Sequence, residues 1–400
     1  TRLYLLRMTF KKMILFLHRW IGLLSGLVVF IVSITGAIYV FEKELFALFH
    51  PSYVTVTAHK GEKTLPLSIL KANAQRVTDH PITLIRVPAT DDQRQVYLFE
   101  ALKRRPKNDI VGVFINKEIR YWDRIFIDPY SGKVLGKIDV ETNFFWIVRQ
   151  IHQFLYLRRD VGSTIVGTSV LLFIITLLSG IFLWWPKNRK VAVKRLKINF
   201  SAKWKRINYD LHQVLGFYAF FVAIVIAATG LVWSFKWWET SIYWLLDGKR
   251  PNKKHEEPKA PDNTIDAASV ASLDLIWSDV VKRYGAHEGA LVNIPQNASL
   301  ANITVYKKGN TWWSASDTYA YDLRSERYYF KRLQNDKTLG MKWRDSNYDI
   351  HVGKIAGRTG MWIAFVTSLI CASLPVTGFY IWYGRKFKKK KRRCSIIKIN

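Results

Sequence analysis

Nine histidines occur in the 400 residues, and four of them share a setting. His18, His152, His212 and His351 each stand ahead of a long apolar run. An ionisable side chain beside a membrane-length segment is a functional candidate by default. A lone interfacial histidine is as readily satisfied by a backbone carbonyl, so the argument rests on the matched set of four. Neutral imidazole nitrogen is a metal ligand. Zinc fits poorly, because two histidines on one face lack a third or fourth N, S or O ligand and neither cysteine is placed to help. Two imidazoles brought together from two helices suit axial ligation of a haem iron instead.

The elements that must position these groups are visible as four apolar runs near 20–41, 164–185, 214–235 and 361–383. Each is long enough, at about 1.5 Å per residue, to cross a hydrocarbon core of about 30 Å. The net charge of +31 invites a nucleic-acid reading, but its placement argues otherwise. The stretches 42–143 and 236–348 each carry only +3, leaving +25 outside them, clustered at the N-terminus, in Lys187–Arg206 and in the tail from Arg385 to Arg393. This is the positive-inside bias. It predicts both termini and the 187–206 loop in the cytoplasm, both large loops outside, lipid as a partner and no nucleic acid. The polybasic tail is suited to anionic lipid. No small-residue cleavage site follows Tyr39–Glu44, so the first run reads as a retained anchor. Cys371 in a membrane run and Cys394 in the tail predict no disulfide.

An internal repeat organises the chain. His18, Gly22 and Thr35-Gly36 align with His212, Gly216 and Thr229-Gly230 at one offset. His152 and Gly180 align with His351 and Gly378, each followed by an aromatic helix end. The order helix, outside domain, helix is therefore written twice, as a parallel repeat about an axis along the membrane normal. Each outside domain reads as a small α+β unit. Amphipathic helices are predicted near 66–77 and 268–284, and strands at Thr83–Val87, Leu291–Ile294, Gln95–Glu100 and Ala301–Tyr306. Closing hairpins follow, one turning through Asp128–Gly132 and the other through Arg324–Glu326. The segment 249–263 reads as a flexible linker.

Topology decides the pairing. The first and third helices run outward, placing His18 and His212 at the inner end. The second and fourth run inward, placing His152 and His351 at the outer end. Gly22 and Gly216 would let a flat ring approach the backbone. Asp210 and Asp349, each two residues before a histidine in the shared pattern N-Y-D-[LI]-H, are candidates for a supporting hydrogen bond or a helix cap. Arg19, Arg149 and Arg358 could pair with haem propionates. Trp312, Trp313 and Tyr321 are candidate substrate contacts in the second outside domain, where ordinary sheet aromatics are the competing reading. His152 and His351 lie well ahead of their apolar runs, so straight helices would lift them about 15 Å above the membrane. Breaks are therefore predicted near Arg158–Gly162 and Gly353–Gly360, with the short helices folding back; Phe144–Trp146 and Phe154–Tyr156 suit an interfacial helix.

The pattern L-H-x-x-x-G…T-G, the D-P-Y-S-G hairpin, the S-G-x-x-L-W-W-P-K helix end and the N-Y-D-L-H entry resemble the PepSY-associated transmembrane family. These iron-regulated membrane proteins include periplasmic ferric-siderophore reductases, and the resemblance covers almost the whole chain. It implies a bacterial inner-membrane protein, mainly α, with four transmembrane helices as two parallel repeats, each with a periplasmic α+β PepSY-like domain. It implies two haem b groups held by His18, His152, His212 and His351, and electron transfer outward to an iron(III) chelate. The expected layout is a cytoplasmic N-terminus and first helix over 1–41, a PepSY-like domain over 42–143, and an interfacial segment with the second helix over 144–186. A basic loop over 187–207 and the third helix over 208–235 follow. The second PepSY-like domain spans 236–348, an interfacial segment with the fourth helix 349–384, and the tail 385–400. The chain has no Gly-rich dinucleotide fingerprint, so the electron donor is expected to be quinol or a separate cytoplasmic reductase. The competing functional class is a non-enzymatic membrane regulator or chaperone of periplasmic proteins, which predicts no haem. A transporter would need a discontinuous helix with midplane polar groups, and none is evident.

Overall fold

The computed structural model describes residues 9–56, 63–90, 96–106, 109, 112–115, 118–250, 269–294, 300–307, 314–323 and 328–397. The chain divides into two compact units, one of residues 1–40, 148–239 and 348–400 and the other of residues 41–147 and 240–347. Residues 251–263 of the predicted linker at 249–263, the turn at 324–326, and Trp312 and Trp313 lie outside the described residues.

The first unit is helical. Its long members are α1 (Phe10–Val40), α6 (Arg159–Trp184), α8 (Trp204–Ser234) and α12 (Gly357–Ile397). Four spans in these helices are long and apolar enough to cross a membrane: Phe10–Val40, Arg159–Trp184, Trp204–Ser234 and Lys354–Lys386. A bilayer leaves their apolar faces in lipid, which is why Leu24, Leu27, Phe221 and Trp362 stay exposed on the bare protein. Between the helices small residues allow close approach: a Cβ at Gly26 would lie 3.2 Å from Pro375, the proline inside α12. Leu177, Ala223 and Cys371 form an apolar knot joining α6, α8 and α12. The short basic helix α7 (Arg189–Arg195) begins at Asn188, whose side chain accepts from Val191 N.

Two short helices precede α6 and α12. The first, α5 (Phe144–Phe154), ends in a reversal through Leu155 and Tyr156, both at positive φ. The second, α11 (Leu339–His351), ends in a turn carrying Gly353 and Gly357 at positive φ. The second break falls within the predicted Gly353–Gly360; the first falls at 155–158, a few residues ahead of Arg158–Gly162. Both short helices double back tightly. A Cβ at Gly162 would collide with the Phe154 carbonyl oxygen, and one at Gly360 with the Gly353 carbonyl oxygen.

The second unit is built on one antiparallel sheet of eight strands. They are β1 (Leu84–Val87), β2 (Tyr97–Arg104), β3 (Ile119–Ile127), β4 (Val134–Asp139), β5 (His287–Asn293), β6 (Leu300–Lys307), β7 (Ser316–Asp322) and β8 (Tyr328–Arg332). The spatial order is β4-β3-β2-β1-β5-β6-β7-β8. The segments 42–143 and 236–348, expected as separate domains, therefore share one sheet through β1 and β5, with Ile85 opposite Val292 and Arg86 opposite Leu291. Each of those strands would otherwise be an open edge, and pairing them removes two templates for misassociation. One face is apolar. Ile85, Phe99, Ile125, Val292 and Ile303 point to helices α4 (Leu67–Gln75) and α10 (Ser269–Tyr284), which add Leu70, Leu273 and Ile276. The two helices are joined where the Ser68 N–H donates to Asp274 at 2.8 Å. On the opposite face, near β3 and β4, Phe126 packs with Phe46 of α2 (Glu42–Phe49) and Tyr53 of α3 (Pro51–Val54).

Candidate functional site

All four histidines lie in the helical unit, and they form two facing pairs. The rings of His18 and His212 are 6.3 Å apart between centres, and those of His152 and His351 are 6.1 Å apart. With metal–nitrogen bonds of about 2 Å and ring nitrogens about 1 Å from their ring centres, two imidazoles gripping one ion from opposite sides have centres about 6 Å apart. The pairs sit at opposite ends of α1. His18 belongs to its early turns, whereas His152 reaches Val32 and Thr35, about 24 Å further along the helix axis.

Each histidine is held by a neighbouring helix in the same way. His18 Nδ1 lies 2.9 Å from Ser179 Oγ and 3.1 Å from the Thr176 carbonyl. His212 Nδ1 lies 2.9 Å from Thr377 Oγ1. His152 Nδ1 lies 2.8 Å from the Val32 carbonyl and 3.4 Å from Thr35 Oγ1. His351 Nδ1 lies 3.0 Å from both the Ile226 carbonyl and Thr229 Oγ1. The hydroxyls already donate their protons to carbonyls one turn back: Ser179 to Thr176, Thr377 to Ser373, Thr35 to Ile31 and Thr229 to Val225. They can therefore only accept, and so can the carbonyls. Every Nδ1 must carry the proton, which leaves every Nε2 with a free lone pair. Among the described residues none of the four Nε2 atoms has a hydrogen-bond partner.

A glycine follows each of these hydroxyl residues, and it is what lets the ring edge come close to the helix. A Cβ at Gly36 would stand 2.9 Å from His152 Cε1; at Gly180, Gly230 and Gly378 it would stand 3.3 Å from the Cε1 of His18, His351 and His212. Sequence reading aligned Thr35-Gly36 with Thr229-Gly230 and Gly180 with Gly378 but gave no sign that these steps cradle a histidine from another helix. Trp233, which lies edge-on to His351 with centres 5.2 Å apart, carried no signal either.

The other expected residues are placed differently. Asp210 is buried and accepts from Arg206 Nε at 2.8 Å, and Asp349 lies 3.8 Å from Lys354 Nζ. The histidines' Nδ1 protons go to hydroxyls and carbonyls of the facing helix, so support comes from across the helix pair and not from i−2. Nor is Asp210 a cap, since α8 begins six residues earlier, after Lys203. Asn208 of the same motif is the residue that reaches across, donating to the Thr377 carbonyl at 3.1 Å. Arg19 lies over the rings of Phe16 and Trp20, and Arg358 is exposed in the first turn of α12. Arg149, three residues before His152, has a buried Nε with no hydrogen-bond partner. Tyr321 is 2% exposed and its hydroxyl donates to Asp279, so it is a core residue of the sheet unit and cannot present its ring to a substrate.

The residues fit a haem better than a bare ion. Among the described residues no group of three His, Cys, Asp or Glu side chains could hold a metal. Each pair would offer two imidazole nitrogens, too few for a bare ion and the number a haem iron takes from protein. A Cβ at Gly22 or Gly216 would meet only ordinary contacts, with Thr176 at 3.7 Å and Leu374 at 3.6 Å, so helix packing alone does not require glycine there.

Four membrane-length helices, an antiparallel sheet unit and two facing histidine pairs define a multi-pass membrane protein. The chain belongs to the PepSY-associated TM region family, whose model matches residues 15–385. No curated protein matches it significantly.

Proposed function

We propose that the chain is a di-haem oxidoreductase of the bacterial inner membrane that passes electrons outward to reduce ferric chelates, such as ferric-siderophores, for iron uptake. The observation that carries this reading is the pair of facing imidazoles at each end of the bundle, 6.3 and 6.1 Å apart, with every Nδ1 spent on a neighbouring helix. Haem b supplies one-electron chemistry between Fe(III) and Fe(II). The protein's part is to fix both rings, to keep each Nε2 unprotonated, and to set two sites about 24 Å apart along one helix. The two halves act as repeats, each giving one histidine to each site: α6 and α12 brace His18 and His212, and α1 and α8 brace His152 and His351.

The charge asymmetry supports both termini and the 187–207 loop on the cytoplasmic side and the sheet unit in the periplasm. His18 and His212 would hold the haem that takes electrons from quinol or a cytoplasmic reductase, and His152 and His351 the haem that would supply one electron to each iron of the chelate. Reduction favours release, because Fe(II) binds hard oxygen donors less tightly than Fe(III). Purified protein is expected to show a Soret band and a reduced α-band. Either His18→Ala or His212→Ala should remove one haem, and either His152→Ala or His351→Ala the other. Absence of haem from the intact protein would sink the proposal in favour of a membrane-held regulator.

A further inference from the structure

The two faces of the sheet differ in chemistry. Strand alternation puts Ile85, Phe99 and Val292 against the helices and leaves Arg86, Glu100, Trp122 and Arg124 of the first half on the other face. Register across β1 and β5 continues that face into the second half through Asn293, Asn302, Thr304 and Thr318. In its middle, Glu100 is fully buried and its Oε1 accepts from both Arg86 Nε at 2.9 Å and Arg124 Nε at 3.0 Å. Its Oε2 accepts from Trp122 Nε1 at 3.0 Å. Burial works to raise the Glu100 pKa, yet the Arg124 and Arg86 charges and their hydrogen bonds hold it below the ordinary carboxylate value.

One guanidinium would neutralise that carboxylate, and here there are two. A buried ion pair returns little stability over an apolar replacement, so stability alone is a poor reason to keep Glu100 in mid-strand. What Glu100 does is hold two guanidiniums side by side by their Nε atoms. Their terminal amino groups have no hydrogen-bond partner among the described residues. Solvent reaches both side chains, which are 40% exposed for Arg86 and 22% for Arg124. The cluster carries one net positive charge and presents planar donor forks, the geometry that grips carboxylates two oxygens at a time. Leu98 and Leu291 flank Arg86 on the neighbouring strands, and Asn293, diagonal to it, offers a neutral hydrogen bond.

We propose that the Arg86–Arg124 pair, fixed by Glu100 on the polar face of the shared sheet, is a docking site for a carboxylate-bearing metal chelate. That the ligand is a chelate rests on the proposed reductase function; that it is carboxylate-bearing rests on the two guanidiniums. The test is calorimetric titration of the full detergent-solubilised chain with gallium(III) citrate, which binds without redox chemistry. Free citrate and the cationic hydroxamate complex gallium(III)–desferrioxamine B are the comparisons. Gallium citrate should bind more tightly than either, and Arg86→Gln or Arg124→Gln should each weaken it about tenfold or more. Either variant leaves the other arginine on Glu100, so the thermal unfolding of the sheet is expected to persist, and Arg86→Lys should restore only part of the affinity. Unchanged gallium citrate affinity in both glutamine variants would overturn the proposal, as would equal binding of all three ligands. The two readings fail separately. Gallium citrate binding by a haem-free protein would sink the reductase and leave the site; a haem-loaded protein blind to gallium citrate would do the reverse.

Discussion

At the scale of single residues, the histidines depend on groups that do no metal chemistry. A ligating imidazole needs its far nitrogen occupied by an acceptor, which fixes both tautomer and ring plane. Here the acceptors are a hydroxyl and a carbonyl on an adjoining helix, with glycine making room. Thr377→Val keeps the volume and removes the acceptor at 2.9 Å from His212. It is expected to weaken haem retention at the His18–His212 pair by about tenfold and to leave the other pair alone, as read by haem content against dilution. Gly36→Ala places a Cβ 2.9 Å from His152 Cε1 and should shift or lose the His152–His351 haem only, seen as a change in half of the reduced α-band. The four histidines were legible because their type and repeated position mark them. Their cradles were not, because serine, threonine and glycine are common in membrane helices for packing reasons alone.

At the scale of elements, two helix reversals bring His152 and His351 to the bundle. Leu155 and Tyr156 adopt positive φ, costing on the order of 1–3 kcal/mol each, so packing must hold the reversal in place. Gly162 is what permits the packing, since any side chain there would strike the Phe154 carbonyl oxygen. Gly162→Val is therefore expected to disrupt the α5–α6 reversal and abolish the His152–His351 site while sparing His18–His212. Loss of one haem with retained helical circular dichroism would bear this out; an unchanged two-haem spectrum would count against it. A break was expected from the sequence, because a straight helix would lift His152 about 15 Å above the membrane. Its location did not, since neither Leu155 nor Tyr156 is a residue type that signals positive φ.

At the scale of the whole molecule, residues far apart in sequence share one sheet, with β1 and β5 joined in register. Ile85 and Val292 are fully buried partners at that join. Val292→Asp buries a charge with no described partner and should cost more than about 3 kcal/mol, measured as loss of the sheet's cooperative melting. Because both halves contribute to one core, the same substitution is expected to unfold β1–β4 along with β5–β8. Protease cleavage confined to the second half would contradict the shared core.

The sequence by itself determined four membrane-length helices, the strand-rich segments between them and the four histidines that stand ahead of the apolar runs. Those features are written locally, as apolar length, alternation and residue type, and they need no knowledge of what packs against what. Only the tertiary structure decided that Ser179, Thr377, Thr35 and Thr229 receive the histidine protons, that Asp210 serves Arg206, and that Tyr321 is core. It also decided that the two strand-rich segments complete a single sheet. The histidine contacts join surfaces more than a hundred residues apart in the chain, and periodicity within one element carries no information about the partner it will find.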